Sequence, residues 1–251
     1  MLNQDETWLL KDKYAGEKSE GFFTDCKRLA AGEPLAYVIG FVPFLNCTIY
    51  LDSKPLIPRP ETEFWVEQAI TYIDRTYVNT PLHVLDLCAG SGCIGVAVAK
   101  AMPTIHITFA EIDSNHLSTI EKNLKANTPI DWSIGDNALI VVSDLFSDIS
   151  GKFDFILSNP PYIDPVLDRA EPSVKNHEPH GALYGGRQGL ELIEQIIAQA
   201  PSHLTPAGQL WLEHEPEQTT RIHEIAQQHG FSVTTHKDQY QVERFSVLTV
   251  A

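Results

Sequence analysis

The residues that could carry chemistry begin where an apolar run stops. Phe153 to Leu157 has the composition of a buried strand, and Ser158 then leads into Asn159-Pro160-Pro161-Tyr162. Proline has no backbone N–H and a fixed φ, so a strand ladder must end at Asn159. The Asn159 side-chain oxygen and the Pro160 carbonyl could then accept both N–H bonds of a planar NH2 group, with Tyr162 stacked on it. These four residues alone suit a Pro-Pro turn with an asparagine cap equally well.

A glycine-rich turn is the second candidate site. Gly90, Gly92 and Gly95 follow the pattern G-x-G-x-x-G between a predicted strand and a predicted helix, and Glu111 closes the next strand. This pattern is typical of dinucleotide sites. It suits S-adenosylmethionine as well, because glycines let the backbone approach a ligand and a carboxylate can bind two ribose hydroxyls. The motif by itself does not choose between the two cofactors.

Asp86 favours the methyl donor. It lies inside the strand just before the glycine turn, where a carboxylate suits the cationic end of S-adenosylmethionine and would repel a pyrophosphate. In addition, Asn159-Pro160-Pro161-Tyr162 occupies the place where a dehydrogenase would need an acid or base. The alternative for Asp86 is a structural residue that accepts hydrogen bonds from nearby loop N–H groups.

Composition limits the partners. The 251 residues include 33 Asp and Glu against 18 Lys and Arg, a formal net charge of -15, which argues against duplex DNA as a partner. The four cysteines form no CxxC pair, which fits a reducing compartment. The first residues show neither a secretion nor an import pattern. We therefore expect a cytoplasmic protein that does not bind membranes. A monomer is a separate expectation.

The first third of the chain predicts small elements. Residues 1–33 suit one or two short helices. Residues 35–51 alternate apolar and polar positions, which predicts a β-hairpin with strands at 36–40 and 44–50. Pro60 followed by two glutamates predicts a helix start, and the helix should run to about Thr76.

From Leu82 onwards, strands and helices alternate. Such βαβ units predict an α/β fold, a doubly wound and mostly parallel sheet. Residues 163–189 form a long loop that a compact domain seldom keeps without a use, and we expect a lid or a protein-docking loop there. The predicted organisation is a short N-terminal helical segment and hairpin at 1–55, followed by one domain at 56–251.

Five segments together carry a family resemblance. They are Gly32-Glu33-Pro34-Leu35-Ala36-Tyr37-Val38-Ile39-Gly40, Leu56-Ile57-Pro58-Arg59-Pro60-Glu61-Thr62-Glu63, the turn from Asp86 to Gly95, Asn159 to Tyr162, and His177-Glu178-Pro179 with Ala182-Leu183-Tyr184-Gly185-Gly186. In combination they resemble the HemK/PrmC family of protein N5-glutamine methyltransferases. Asn-Pro-Pro-Tyr alone also occurs in DNA adenine methyltransferases. The stretch before Gly32 is shorter than the helical N-terminal domain of that family.

The resemblance implies a seven-stranded Rossmann-like class I methyltransferase sheet, with 56–251 as the S-adenosylmethionine-dependent domain. It implies that the cofactor's methionine moiety lies on Cys88, Ala89, Gly90, Ser91 and Gly92, its ribose on Glu111, and its adenine beside Asp144 and Leu145. Leu145 stands where some members carry an aromatic residue. The acceptor amide would lie on Asn159, Pro160, Pro161 and Tyr162, with Asn159 also facing the cofactor.

Two further expectations concern the rim of this site. Arg59 and Glu61 should border the same cleft, unless they form a salt bridge at the helix start. His177 and His180, with Glu178 between them, resemble a metal site but are expected to be ordinary loop residues, so we predict no metal.

The expected function is transfer of a methyl group from S-adenosylmethionine to the side-chain amide nitrogen of a glutamine in a translation protein. The peptide-chain release factor is the first candidate acceptor, and ribosomal protein L3 is the alternative. A nucleic-acid N6-adenine methyltransferase would use Asn159 to Tyr162 on a flipped base and is the second hypothesis. The third is a dinucleotide enzyme or a non-catalytic cofactor-binding module that rests on the glycine turn.

Overall fold

The computed structural model describes residues 2–77, 80–129 and 132–250. Its helices are α1 (Gln4–Asp12), α2 (Glu20–Ala30), α3 (Leu35–Ile39), α4 (Pro60–Thr76), α5 (Cys93–Ala101), α6 (Leu117–Asn127), α7 (Pro172–His177), α8 (Glu191–His203) and α9 (Thr219–Gln228). Its strands are β1 (Phe41–Phe44), β2 (Cys47–Tyr50), β3 (His83–Leu87), β4 (His106–Glu111), β5 (Ala138–Val142), β6 (Phe153–Ser158), β7 (Leu204–Glu213), β8 (Phe231–Lys237) and β9 (Glu243–Val250).

Seven strands form one sheet in the order β5-β4-β3-β6-β7-β9-β8. All pairs are parallel except those of β9, which runs antiparallel to β7 and to β8. This confirms the predicted doubly wound, mostly parallel sheet of seven strands. Because Leu87 of β3 is paired with Ser158 of β6, the glycine turn and Asn159 leave the sheet side by side at its carboxyl edge.

The sheet has a hydrophobic core on each face. Val84, Phe109 and Phe155 point to the face covered by α4, α5, α6 and the small hairpin. Leu85 and Ile156, each one residue away, point to the face covered by α8 and α9. This alternation is the period of two that a strand imposes on its side chains.

Helix α4 forms as the sequence predicts. Pro60 occupies its first turn, where a missing N–H is tolerated, and Glu61 and Glu63 carry negative charge at the helix N-terminus. The buried residues follow helical spacing, and they are Thr62, Trp65, Val66, Ala69 and Ile73. One face of α4 therefore packs on the sheet beside the end of β7.

The predicted first hairpin strand is wrong. Residues 36–39 lie in α3, and Gly40 caps its C-terminus with φ 99°. The predicted second strand at 44–50 includes the end of β1, the turn and β2, and the hairpin is made by β1 and β2. The local alternation was overridden by packing, because Val38 joins a separate small core with Leu9 of α1 and Phe22 of α2. The helical conformation of this segment is therefore determined by tertiary contacts among three short helices.

The hairpin is fixed to the sheet domain through α6. Asn123 Oδ1 accepts the N–H of Tyr50 at 2.7 Å, and Asn127 Oδ1 accepts the N–H of Thr48 at 3.0 Å. The division of the chain at residue 55 stays a prediction. In the part of the chain that the structure describes, no helix is both long and apolar enough to cross a bilayer.

Candidate active site

The turn after β3 requires its glycines for two different reasons. Gly90 has φ +55° with open space around it, so its need is conformational. Gly92 has φ +76°, and a Cβ there would lie 3.0 Å from Ile120. Gly95, inside α5, would place a Cβ 2.9 Å from Phe109 Cζ. The turn is thus shaped by backbone strain at its start and by close packing at its end.

Asp86 lies under this turn. It is fully buried, its Oδ2 accepts the Gly95 N–H at 2.8 Å, and among the described residues its Oδ1 has no hydrogen-bond partner. Burial, together with the nearby Glu111, raises the pKa of Asp86 to about 8. Neither Asp86 nor Gly92 is among the residues that line the cavities described next. Asp86 therefore supports the turn from below.

A cavity of about 280 Å³ opens above the turn. Its wall includes Cys88, Ala89, Gly90, Ser91, Glu111, Ser143, Asp144 and Leu145. Glu111 accepts the N–H of Gly90 at 2.7 Å on one oxygen and the N–H of Asp113 at 2.8 Å on the other. Since a carboxylate has about four acceptor positions, each oxygen of Glu111 can accept one more hydrogen bond. Burial raises the pKa of the Cys88 thiol to about 12, so this thiol stays neutral and is a poor nucleophile.

A second cavity of about 510 Å³ lies on the other side of Asn159. Asn159, Pro160 and Tyr162 belong to its wall, whereas Pro161 faces the smaller cavity. Both walls share four residues, which are Leu56, Arg59, Asn159 and Ala182. Asn159 therefore stands at the boundary between the two cavities.

The acceptor groups predicted from the sequence are available. Within residues 2–77, 80–129 and 132–250, neither Asn159 Oδ1 nor the Pro160 carbonyl accepts a hydrogen bond. The Asn159 NH2 group instead donates to Thr62 Oγ1 at 3.1 Å, and the Tyr162 hydroxyl donates to Glu213 Oε1 at 3.0 Å. Two unused oxygens thus lie at the edge of an open cavity.

Residues 163–189 fold over both cavities. They contain α7, and Ile163 pairs with the segment near Tyr184 through a 2.9 Å bond from the Ile163 N–H to the Leu183 carbonyl. Gly189 packs against the Tyr162 backbone so closely that a Cβ there would overlap the Tyr162 carbonyl. The loop is therefore a folded wall of the site, and its action as a lid stays a prediction.

Glu178 anchors this loop to the segment before α4. Its side chain is 2% exposed, and it accepts the Ile57 N–H at 3.0 Å and an Arg59 Nη2 hydrogen bond at 2.6 Å. Arg59 thus pairs with Glu178, while Glu61 lines neither cavity. His177 and His180 are hydrogen-bonded to the carbonyls of Ser173 and Lys175.

Sequence reasoning missed Glu213, which ends β7 beside β6. It is fully buried and accepts hydrogen bonds from Thr62, Trp65 and Tyr162. Burial raises its pKa, and the three donated bonds and Arg244 oppose that rise. The available signal was a carboxylate directly after the apolar run 210–212, at the sheet edge where Asn159 also lies.

The chain is similar in sequence to known methyltransferases. The family model of the methyltransferase small domain matches residues 72–171. The release factor glutamine methyltransferase of Chlamydia trachomatis serovar D is 33% identical over 238 residues, covering 94% of this chain and 79% of the relative. That of Streptococcus pneumoniae is 34% identical over 251 residues, covering 97% and 85%. The solved hMettl16 catalytic domain, in complex with MAT2A 3'UTR hairpin 6, has a TM-score of 0.61 at 18% identity, covering 81% of this chain and 75% of that one, and shares the fold.

Proposed function

This chain belongs to the family of release factor glutamine methyltransferases, and on that premise we propose that it transfers a methyl group from S-adenosylmethionine to a glutamine side-chain amide of the peptide-chain release factor. The observation that carries the proposal is a pair of oxygens, Asn159 Oδ1 and the Pro160 carbonyl, that accept no hydrogen bond from the described residues, with Asn159 at the boundary of two cavities. A primary amide offers two N–H donors in one plane, which is what such a pair accepts.

The smaller cavity fits S-adenosylmethionine. The remaining acceptor positions of Glu111 suit two ribose hydroxyls, and the exposed carboxylate of Asp144 suits an adenine amino group. The turn from Cys88 to Ser91 forms the part of the wall where the methionine moiety would lie, with Leu145 beside the adenine. When bound, this cofactor supplies an electrophilic methyl group on a positively charged sulfur.

The chain's own residues then act on the acceptor amide. An amide nitrogen is a weak nucleophile because its lone pair is delocalised into the carbonyl. Asn159 and Pro160 would accept both of its N–H bonds, orient the nitrogen towards the smaller cavity, and favour the positive charge that builds on it. Tyr162 would pack on the amide plane, and the proton can leave after the nitrogen has been methylated. The role of these residues is positioning and charge stabilisation.

Further roles belong to the same proposal. Arg59 and the loop 163–189 would close over both ligands, and residues 1–55 would form a small unit that helps to hold the acceptor protein. The acceptor is a translation protein, so the proposed reaction takes place in the cytoplasm, with the enzyme acting as a monomer.

The test is a labelling reaction with radioactive S-adenosylmethionine and purified acceptors. We expect label on the release factor and none on a release factor in which the acceptor glutamine is replaced by alanine. Label that persists on the alanine variant would refute glutamine methylation.

The same labelling reaction is carried out with two further acceptors, ribosomal protein L3 and a DNA duplex. Label on L3 but not on the release factor would keep the chemistry and change the acceptor. Label on DNA alone would assign the site to a flipped adenine. The net charge of -15 argues against that last outcome.

A further inference from the structure

Glu213 is a buried carboxylate with no part in the mechanism above. It lies at the carboxyl end of β7, is fully buried, and does not line either cavity. A buried carboxylate is unfavourable unless donors surround it. The donors that Glu213 uses come from the start of α4 and from Tyr162 in the segment 159–162, so the residue joins two parts of the site.

The contacts divide between the two carboxylate oxygens. Oε2 accepts the Thr62 hydroxyl at 2.7 Å and the Trp65 indole N–H at 2.6 Å. Oε1 accepts the Tyr162 hydroxyl at 3.0 Å. Thr62 and Tyr162 are the two residues through which Glu213 can reach the acceptor site.

The number of hydrogens on each group determines which one donates in the contact between Thr62 and Glu213. A hydroxyl has a single hydrogen, and because the carboxylate can only accept, Thr62 must donate that hydrogen to Glu213. Thr62 Oγ1 can then only accept from Asn159, whose Nδ2 is 3.1 Å away. The NH2 group of Asn159 is therefore hydrogen-bonded to Thr62, and the side-chain oxygen Oδ1 is left for a ligand in the cavity.

The same count applies to Tyr162. Its one hydroxyl hydrogen goes to Glu213, which fixes the end of the ring against β7. The ring face, and not the hydroxyl, is then what Tyr162 can offer to a ligand.

We propose that Glu213 is a positioning residue that orients the Asn159 amide through Thr62, so that an acceptor oxygen and not an NH2 group faces the substrate amide. The inference rests on the proposed function, since the orientation matters only if a ligand NH2 must be bound. With the amide reversed, two NH2 groups would face each other and the substrate would lose one of its two acceptors. Losing one such preorganised partner lowers kcat by roughly a hundredfold or more.

A purely structural role is the competing explanation, because Glu213 also ties β7 to α4 through Trp65. Thr62→Val removes the hydroxyl and keeps the side-chain shape, whereas Thr62→Ser keeps the hydroxyl. Thr119→Val is the matched control, since Thr119 is also buried in a helix and its hydroxyl is hydrogen-bonded to Ser53 at 2.8 Å. Glu213→Leu removes the acceptor, and Glu213→Gln keeps an oxygen next to Trp65, whose indole N–H can only donate.

Kinetics with the release factor give the first readout. For Thr62→Val and Glu213→Leu we expect kcat to fall about a hundredfold, with the KM for S-adenosylmethionine within threefold of wild type. Thr62→Ser and Glu213→Gln should recover most of that loss, and Thr119→Val should keep the wild-type kcat. Equal losses in Thr62→Val and Thr119→Val, or no recovery with serine, would overturn the proposal.

A second readout needs no activity and separates this inference from the proposed function. In 15N-labelled protein without ligands, the Asn159 side-chain NH2 signal can be assigned by its loss in Asn159→Asp. We expect slow exchange of this NH2 with water in wild type, Thr62→Ser and Glu213→Gln, and fast exchange in Thr62→Val and Glu213→Leu. If the serine and glutamine variants exchange fast, the inference fails even where the valine or leucine variant does not fold. A wild type that shows the protected NH2 but labels no glutamine would refute the proposed function alone.

Discussion

Asp86→Asn should stabilise the protein, and the gain in the free energy of unfolding should increase as pH rises. Asp86 is fully buried, one of its oxygens has no partner among the described residues, and its pKa rises from 3.8 to about 8. Between pH 3.8 and about pH 8, Asp86 is protonated in the folded protein and ionised in the unfolded chain. The free energy of unfolding of the wild type must therefore fall as pH rises through this window.

The size of the effect follows from the same shift. Each pH unit inside the window changes the free energy of unfolding by at most about 1.4 kcal/mol, so pH 5.5 to 8 spans an upper bound of roughly 3 kcal/mol. Relaxation of the turn around an ionised Asp86 would reduce that figure, and we expect at least about 1 kcal/mol to remain. Asparagine can accept the Gly95 N–H in the same way and has no proton to lose.

The assay is urea unfolding of wild type and Asp86→Asn at pH 5.5, 7 and 8. Asp148→Asn is the control, because the Asp148 side chain is exposed and has no ion pair among the described residues. At each pH the free energy of unfolding of the wild type is subtracted from that of the variant. This difference cancels the contribution of the other titrating groups. We expect the difference for Asp86→Asn to move in favour of the variant as pH rises, and the difference for Asp148→Asn to change much less. A difference for Asp86→Asn that is independent of pH, or that moves the other way, would show that Asp86 is ionised in the folded protein and refute the argument.

Three further predictions use the same protein. Asn159→Ala should lower kcat on the release factor about a hundredfold while calorimetry finds S-adenosylhomocysteine affinity little changed; equal loss of both would remove Asn159 from its proposed role. Gly95→Ala should destabilise the fold by about 2 kcal/mol in urea unfolding, because its Cβ would lie against Phe109; an unchanged midpoint would contradict that packing. Glu178→Gln should weaken the pairing with Arg59 and raise the KM for the release factor about tenfold, the equivalent of one charge-assisted hydrogen bond of about 1.5 kcal/mol; an unchanged KM would argue against a closing role for the loop.

Local signals were sufficient for most of the sheet domain. Pro60 and the glutamates after it predicted the start of α4, and strand and helix periods predicted the elements that follow. The segment at 36–40 failed because alternation over five residues is a weak signal, and the burial of Val38 among α1 and α2 outweighed it. Short segments without their own core depend most on tertiary contacts.

By itself, the sequence determined where this chain could do chemistry. Two adjacent prolines remove two N–H groups from a strand ladder and glycines favour a left-handed turn, so Asn159 to Tyr162 and the turn near Gly90 could be located from residue types alone. These are properties of single residues and their chain neighbours, and they do not depend on packing.

The tertiary structure decided what those residues face and what holds them. It placed Asp86 beneath the turn, paired Arg59 with Glu178, and brought Glu213 into contact with Tyr162. Each of these contacts joins residues that are distant in sequence, as with Thr62 and Glu213, 151 positions apart. No local pattern encodes such a pairing, because it exists only once the sheet has set strand order and register.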